Sequence, residues 1–172
     1  SGPPILETVQ GDARLIGGNA NITAQVLPWL QLSGTFETVK GKNVDDDISQ
    51  VDDLPLLPPT QFSDSVKFVK QELGTFQNAF LTLGVEHATS KKAAGRYEPF
   101  WQFGNAPQFS NFGVASTDAY TLLNATIGAE IAFWNRPISL QLSANNILDE
   151  AYRDFLDTYK GYALSPGRDI TF

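Results

Sequence analysis

The stretch Asn145–Phe172, NNILDEAYRDFLDTYKGYALSPGRDITF, decides the reading of this chain. It is entered from an alternating run, ISLQLSAN, in which Ile138, Leu140, Leu142 and Ala144 oppose Ser139, Gln141, Ser143 and Asn145. Asn146-Ile147-Leu148-Asp149 follows, then Tyr152, an aromatic and charged loop, Pro166-Gly167-Arg168 and a last alternating run. Side chains of a strand point alternately to opposite faces, so a period of two predicts strands with one apolar and one polar face. Two such strands around a loop make a hairpin. The upstream chain can be tested against its demands on alternation and connection length.

Upstream, Asp12 to Val26 sets Asn19, Asn21, Thr23 and Gln25 against Gly18, Ala20, Ile22, Ala24 and Val26. Leu27-Pro28-Trp29 predicts a tight turn, after which Leu30, Leu32, Gly34 and Phe36 oppose Gln31, Ser33, Thr35 and Glu37. Val66 and Phe68 oppose Ser65 and Lys67; Leu81, Leu83 and Val85 oppose Thr82, Gly84 and Glu86. Leu123, Ala125, Ile127, Ala129 and Ile131 oppose Asn124, Thr126, Gly128 and Glu130. Seven strands are predicted, at 12–26, 30–42, 60–72, 78–87, 119–133, 138–147 and 167–172. Short turns at 27–29, 73–77 and 135–137 alternate with long connections at 43–59, 88–118 and 148–165. Transmembrane barrels sort their connections in this way, with short turns on one rim and long loops on the other. Trp29, Phe133 and Trp134 lie at the short turns, where an aromatic girdle would sit. A soluble β-sandwich binding module with aromatic loops would show similar alternation, its apolar face packed on a second sheet.

Several motifs carry a family resemblance. Asn146-Ile147-Leu148-Asp149 with Tyr152, and Pro166-Gly167-Arg168, resemble the closing hairpin of a TonB-dependent outer-membrane receptor. Asp12-Ala13-Arg14-Leu15 with Gly17 resembles the entry to a late barrel strand of that family, with Asn19 where the family has an acidic residue. Pro28-Trp29-Leu30 resembles the following periplasmic turn, Leu54-Pro55-Leu56-Leu57-Pro58-Pro59 the return of an extracellular loop, and Tyr120-Thr121-Leu122-Leu123-Asn124 a later strand opening. The resemblance covers nearly the whole chain. It implies an all-β fold, an antiparallel transmembrane β-barrel of which residues 1–172 form the C-terminal seven of about 22 strands, without the plug domain. It implies TonB-energised uptake of a scarce nutrient across the outer membrane of a Gram-negative bacterium, usually a ferric siderophore or other metal complex. The implied partners are TonB with its inner-membrane motor, acting through the plug, outer-membrane lipid and the ligand. Phe155 stands where many relatives carry His, so no metal-binding role is carried over to it.

Bulk properties bound the alternatives. At 172 residues the chain suffices for one domain, but not for a barrel of about 22 strands with its plug. No stretch is apolar for the roughly 18 residues that a transmembrane helix needs, whereas a barrel strand crosses in about 9–11 alternating residues. The start at Ser1-Gly2-Pro3-Pro4, without Met, leads to the expectation that the chain begins inside something longer or has been processed. The short GRDITF end gives the expectation that it also stops early. A net charge of −7 argues against nucleic acid as a partner. With one His, no Cys and no phosphate-cradling glycine run, the sequence holds no catalytic triad, no multi-His metal site and no cofactor motif, and no enzyme is expected.

The chemistry-bearing residues lie in the long connections. Arg96, Tyr97, Phe100 and Trp101, with Tyr159 from the last loop, combine aromatic faces with a cation and can bind a planar ligand. Packing against neighbouring loops is the plainer reading of the same residues. Asp45, Asp47 and Asp52 have the composition of a hard-cation site but no EF-hand order, which favours a solvated acidic loop. His87 shares a face with Leu83 and Val85, and reads as a rim aromatic rather than a metal ligand.

Overall fold

A computed structural model describes residues 11–44, 53–54, 56–92, 116–134, 136–157 and 159–172. Strands β1 (Ala13–Leu27), β2 (Leu30–Asn43), β3 (Gln61–Leu73), β4 (Phe76–Ala88), β5 (Tyr120–Phe133), β6 (Arg136–Asn145) and β7 (Asp169–Thr171) follow one another in the chain. They lie in that same order in one antiparallel sheet. The described residues contain no second sheet to face this one, so the sandwich reading loses its partner layer. No helix among them is long and apolar enough to cross a membrane, which says nothing about crossing with strands.

All seven expected strands are present, and the differences at their ends have local causes. The turn expected over 73–77 contracts to Gly74-Thr75, because Gly74 takes φ +64° and lets Leu73 pair directly with Phe76. Strand β6 stops at Asn145 rather than 147, since Asn146 turns the backbone with φ +49°. Strand β7 holds three residues, Asp169 to Thr171, against the six expected from 167. Pro166 has no N–H to give to a ladder, and the N–H of Arg168 is taken by the Asp149 carboxylate at 2.9 Å.

Register sorts the side chains as the alternation demands. On one face Leu32 faces Val66, Val66 faces Leu83, Leu83 faces Ala125, and Ile127 faces Leu142. On the other, Ser33 faces Ser65, Thr82 faces Thr126, and Thr126 faces Ser143. The polar face satisfies itself through cross-strand hydrogen bonds: the Thr35 hydroxyl donates to Asn21 Oδ1 at 2.9 Å, and Asn124 Nδ2 donates to Glu86 Oε1 at 2.8 Å. Asn78 Nδ2 donates to Glu130 Oε2 at 3.0 Å. The apolar face stays bare, with Ile22 70% exposed and Leu140 53%. A continuous exposed apolar face of this extent marks a surface meant for something other than water.

Two aromatic rows bound that face. Phe36, Phe62 and His87 form a row near the long connections, with ring centroids 5.1 and 6.2 Å apart, and a hydrogen bond of 2.9 Å joins His87 Nδ1 and the Thr121 hydroxyl. Near the short turns Trp29 stacks on Phe68 at 6.3 Å and Phe133 on Trp134 at 5.5 Å. The pairs Leu27–Leu30, Leu73–Phe76 and Phe133–Arg136 close all three short turns at one rim, and the connections 44–60, 89–119 and 146–168 leave from the opposite rim.

One irregularity re-aims a side chain. Asn78, at φ +49°, begins a bulge at which β4 takes three residue steps, Gln77 to Phe80, while β5 takes two, Glu130 to Gly128. Alternation from Thr82 sets Phe80 on the polar face, over Gly128, where a Cβ would lie 2.5 Å from the ring, and the bulge re-aims Phe76 to the apolar face opposite Ile131. The Lys67 ammonium covers the same ring at 4.7 Å from its centroid, a cation–π contact that keeps an aromatic stable on a wet face.

Candidate functional site

Burial concentrates at the long-connection rim, where the loop 146–168 folds over the ends of β4 and β5. Ala88, Leu122 and Phe155 are the buried apolar residues there. Lys160 is buried with them, its Nζ donating to the Phe155 carbonyl at 2.6 Å and sitting 3.7 Å above the Phe155 ring centroid. Stacking on an aromatic face recovers part of what a buried ammonium loses in leaving water.

The root of this loop is a clasp built from the motifs that flank it. Asn146 is 3% exposed, and its Nδ2 donates to the Glu150 carbonyl at 2.9 Å while its Oδ1 accepts from the Glu150 N–H at 2.8 Å. Its own N–H donates to Asn124 Oδ1 at 2.9 Å, which ties the turn to β5. The Asp149 carboxylate accepts from the Arg168 N–H and lies so near Gly167 that a Cβ there would meet its Oδ1 at 2.7 Å, so glycine is needed for close approach. Tyr152 packs its ring on Tyr120, centroids 4.5 Å apart, and Ser165 joins both sides of the loop through the Tyr152 carbonyl and the Asp154 N–H. Burial pushes the Tyr152 phenol above its ordinary value of 10, and the Asp154 and Glu86 carboxylates add to the rise.

Beneath the clasp, on the polar face, is a cleft of about 610 Å³ lined by Glu86, Asn124, Asn145, Tyr152 and Asp169 among others. Its polar groups can orient a hydrogen-bonding guest at the mouth of the sheet's wet side. Leu54 and Leu57 do a comparable anchoring task at the β2–β3 rim. The Leu54 N–H bonds to the Gly41 carbonyl at 2.9 Å, and a Cβ on Gly41 would meet both Leu54 and Leu57 within 3 Å.

Of the residues expected to bind ligand, Tyr159 is described: it lies 62% exposed in the last loop, its N–H held by the Asp157 carboxylate at 2.8 Å. Arg96, Tyr97, Phe100 and Trp101, and the acidic residues Asp45, Asp47 and Asp52, lie outside the described residues. Among the described residues no group of three or more His, Cys, Asp or Glu side chains is placed to hold a metal ion. His87 stands in an aromatic row, as a rim aromatic would. Sequence reasoning missed the Asn146–Glu150 clamp and the Phe155–Lys160 pair. The first had a signal in Asn146, a residue type that tolerates a left-handed backbone and bonds its neighbours' main chain.

No family model matches the chain, and no curated protein matches it. Among solved structures it is similar to "Copper transporter OprC", with a TM-score of 0.67 and 16% sequence identity. The match covers 93% of this chain. The likeness is one of fold: the seven-stranded sheet matches a segment of that structure. The chain spans 22% of the length of that protein, so the likeness concerns a segment of it.

Proposed function

We propose that this chain is the C-terminal part of the wall of a TonB-dependent outer-membrane receptor, a transport protein rather than an enzyme. In this reading the short turns face the periplasm, the long connections face outside, and the apolar face meets lipid. The observation that carries it is the two-faced seven-strand meander with its connections sorted by length between two aromatic rows. The eleven residue steps from Phe62 to Leu73 at about 3.3 Å each make about 36 Å of strand. Tilted by about 40°, that length stands about 28 Å tall, which matches an apolar band of about 25 Å. The transporter neighbour supports the same assignment.

The edges β1 and β7 do not pair with each other among the described residues, and lipid cannot hydrogen-bond an open strand edge. The reading therefore has both edges continue into further strands of one wide barrel, the polar face turned to a wet lumen with a plug. The cargo is a metal complex, a ferric siderophore or a related chelate, met first by the loop residues Arg96, Tyr97, Phe100, Trp101 and Tyr159 and then by the cleft under the clasp. Uptake of labelled metal chelates, measured in cells with and without the full-length protein and with and without TonB, tests it. Uptake that falls in both deletions is the expected result; uptake indifferent to either deletion overturns the proposal.

A further inference from the structure

We propose that the apolar face carries a phospholipid site at its short-turn end, with an acyl chain in a groove and the lipid phosphate on Lys70. The inference rests on the membrane-barrel reading above. A groove of about 870 Å³ opens on this face across β3 to β6. Its floor is made shallow by Ala79 and Ala129, while Phe68 and Leu140 stand beside them as walls and Trp29 borders one end. Short floor residues between tall walls give a channel of the width of a hydrocarbon chain, lined almost wholly by apolar atoms.

The cation decides between an acyl chain alone and a whole phospholipid. Lys70 lines the groove, is exposed, pairs across the ladder with Ala79, and sits two residues past Phe68 toward the short turns on the same face. It enters no ion pair among the described residues. A lysine on a lipid-facing surface extends its ammonium along its stem to the headgroup level, where phosphate is the available counter-charge. Trp29, stacked on Phe68, marks that level, since indole rings collect at the membrane interface. An apolar groove, an interfacial ring and the one cation among the lining residues thus meet at one end of the face, as a phospholipid's chain, glycerol region and phosphate require.

The test uses the full-length protein in bilayers with two photoreactive probes: a phosphatidylglycerol with a diazirine in one acyl chain, and the matching diacylglycerol, which has no phosphate. Phosphatidylglycerol should label the peptides that contain Ala79 and Ala129. Lys70→Glu should lower that labelling by more than the roughly fivefold effect of losing one basic residue at an anionic surface, and Lys70→Arg should keep it. Equal labelling by both probes, or by wild type and Lys70→Glu, overturns phosphate recognition. Protein–protein crosslinks in place of lipid labelling assign the groove to a second copy instead. Labelling nowhere on the apolar face overturns the membrane reading itself, whereas uniform labelling of the whole face overturns only this site. Heat-dependent gel mobility reports whether Lys70→Glu has folded. If it has not, competition on the wild type replaces it: unlabelled phosphatidylglycerol should displace the probe where unlabelled diacylglycerol does not, and equal displacement overturns phosphate recognition.

Discussion

Replacing Asn146 with alanine should loosen the root of the loop 146–168 without touching the strands. Three terms set the magnitude. The side chain makes two reciprocal hydrogen bonds with the Glu150 main chain, at 2.9 and 2.8 Å, each worth about 1 kcal/mol net. The backbone holds φ +49°, which costs alanine about 1 kcal/mol more than a residue at ease in the left-handed region. The sum is about 3 kcal/mol, or about 150-fold in the local opening equilibrium. Asn146→Gly keeps the backbone conformation and loses only the two bonds, so it should open about 30-fold more often than wild type. Amide hydrogen exchange of the full-length protein measures both, read at the N–H groups of Glu150, Asp154 and Ser165, each hydrogen-bonded within the clasp. Amides in the middle of β2 and β3 should exchange at their wild-type rates. Glycine and alanine variants that open equally would refute the backbone term. An alanine variant within twofold of wild type would refute the clasp.

Further perturbations test the faces, the bulge and the tyrosines. In a bilayer, Leu142→Arg should cost about 2–4 kcal/mol in urea unfolding while Gln141→Arg costs little; equal cost at both positions would refute the assigned faces. Gly128→Ala should cost about 1–3 kcal/mol, because the new Cβ meets the Phe80 ring, and most of that cost should vanish in a Phe80→Ala background, a coupling that a double-mutant cycle reads directly. Tyr152 is neutral in the folded loop and its folded pKa is raised, so its contribution is fully present below pH 10 and is lost as pH rises through the folded value. Ultraviolet difference titration should then show late phenolate formation whose amplitude falls by one tyrosine in Tyr152→Phe; an unchanged late amplitude would remove the burial argument.

The strands were legible because each face has one solvent and one only, which forces the period of two seen in Ile138 to Asn145 and in Leu123 to Ile131. Register is set by the short turns, since two-residue connections such as Gly74-Thr75 leave no freedom to slip, but the contraction of the expected 73–77 turn to those two residues was not legible. The bulge at Asn78 was missed: Asn tolerates the left-handed backbone that makes it, but Asn19, Asn21 and Asn124 sit in regular strands, so the residue type alone does not mark the place. The buried Phe155 and Lys160 were hidden for another reason. A loop has no repeating geometry, so its inward residues fall at no fixed spacing, and a lysine two residues before Tyr162 looks like any solvated charge. The clasp lay between these extremes. Its motifs could be seen one by one, but that Asn146, Asp149, Gly167 and Arg168 meet at one point is a property of the closed hairpin.

Because every strand touches only its neighbours in sequence, the order in which this sheet can assemble is written into the lengths of its connections. Strands β1 with β2, β3 with β4, and β5 with β6 are joined by two residues each, and such hairpins close in about 1–10 μs. Joining β4 to β5 must first close the 31 residues from Thr89 to Ala119. By the logarithmic loop rule this costs about 2.4 kcal/mol more than closing two residues. The three hairpins are therefore the early units, and docking them edge to edge is the slow step. Shortening 89–119 should speed formation of the sheet while leaving each hairpin's own stability unchanged.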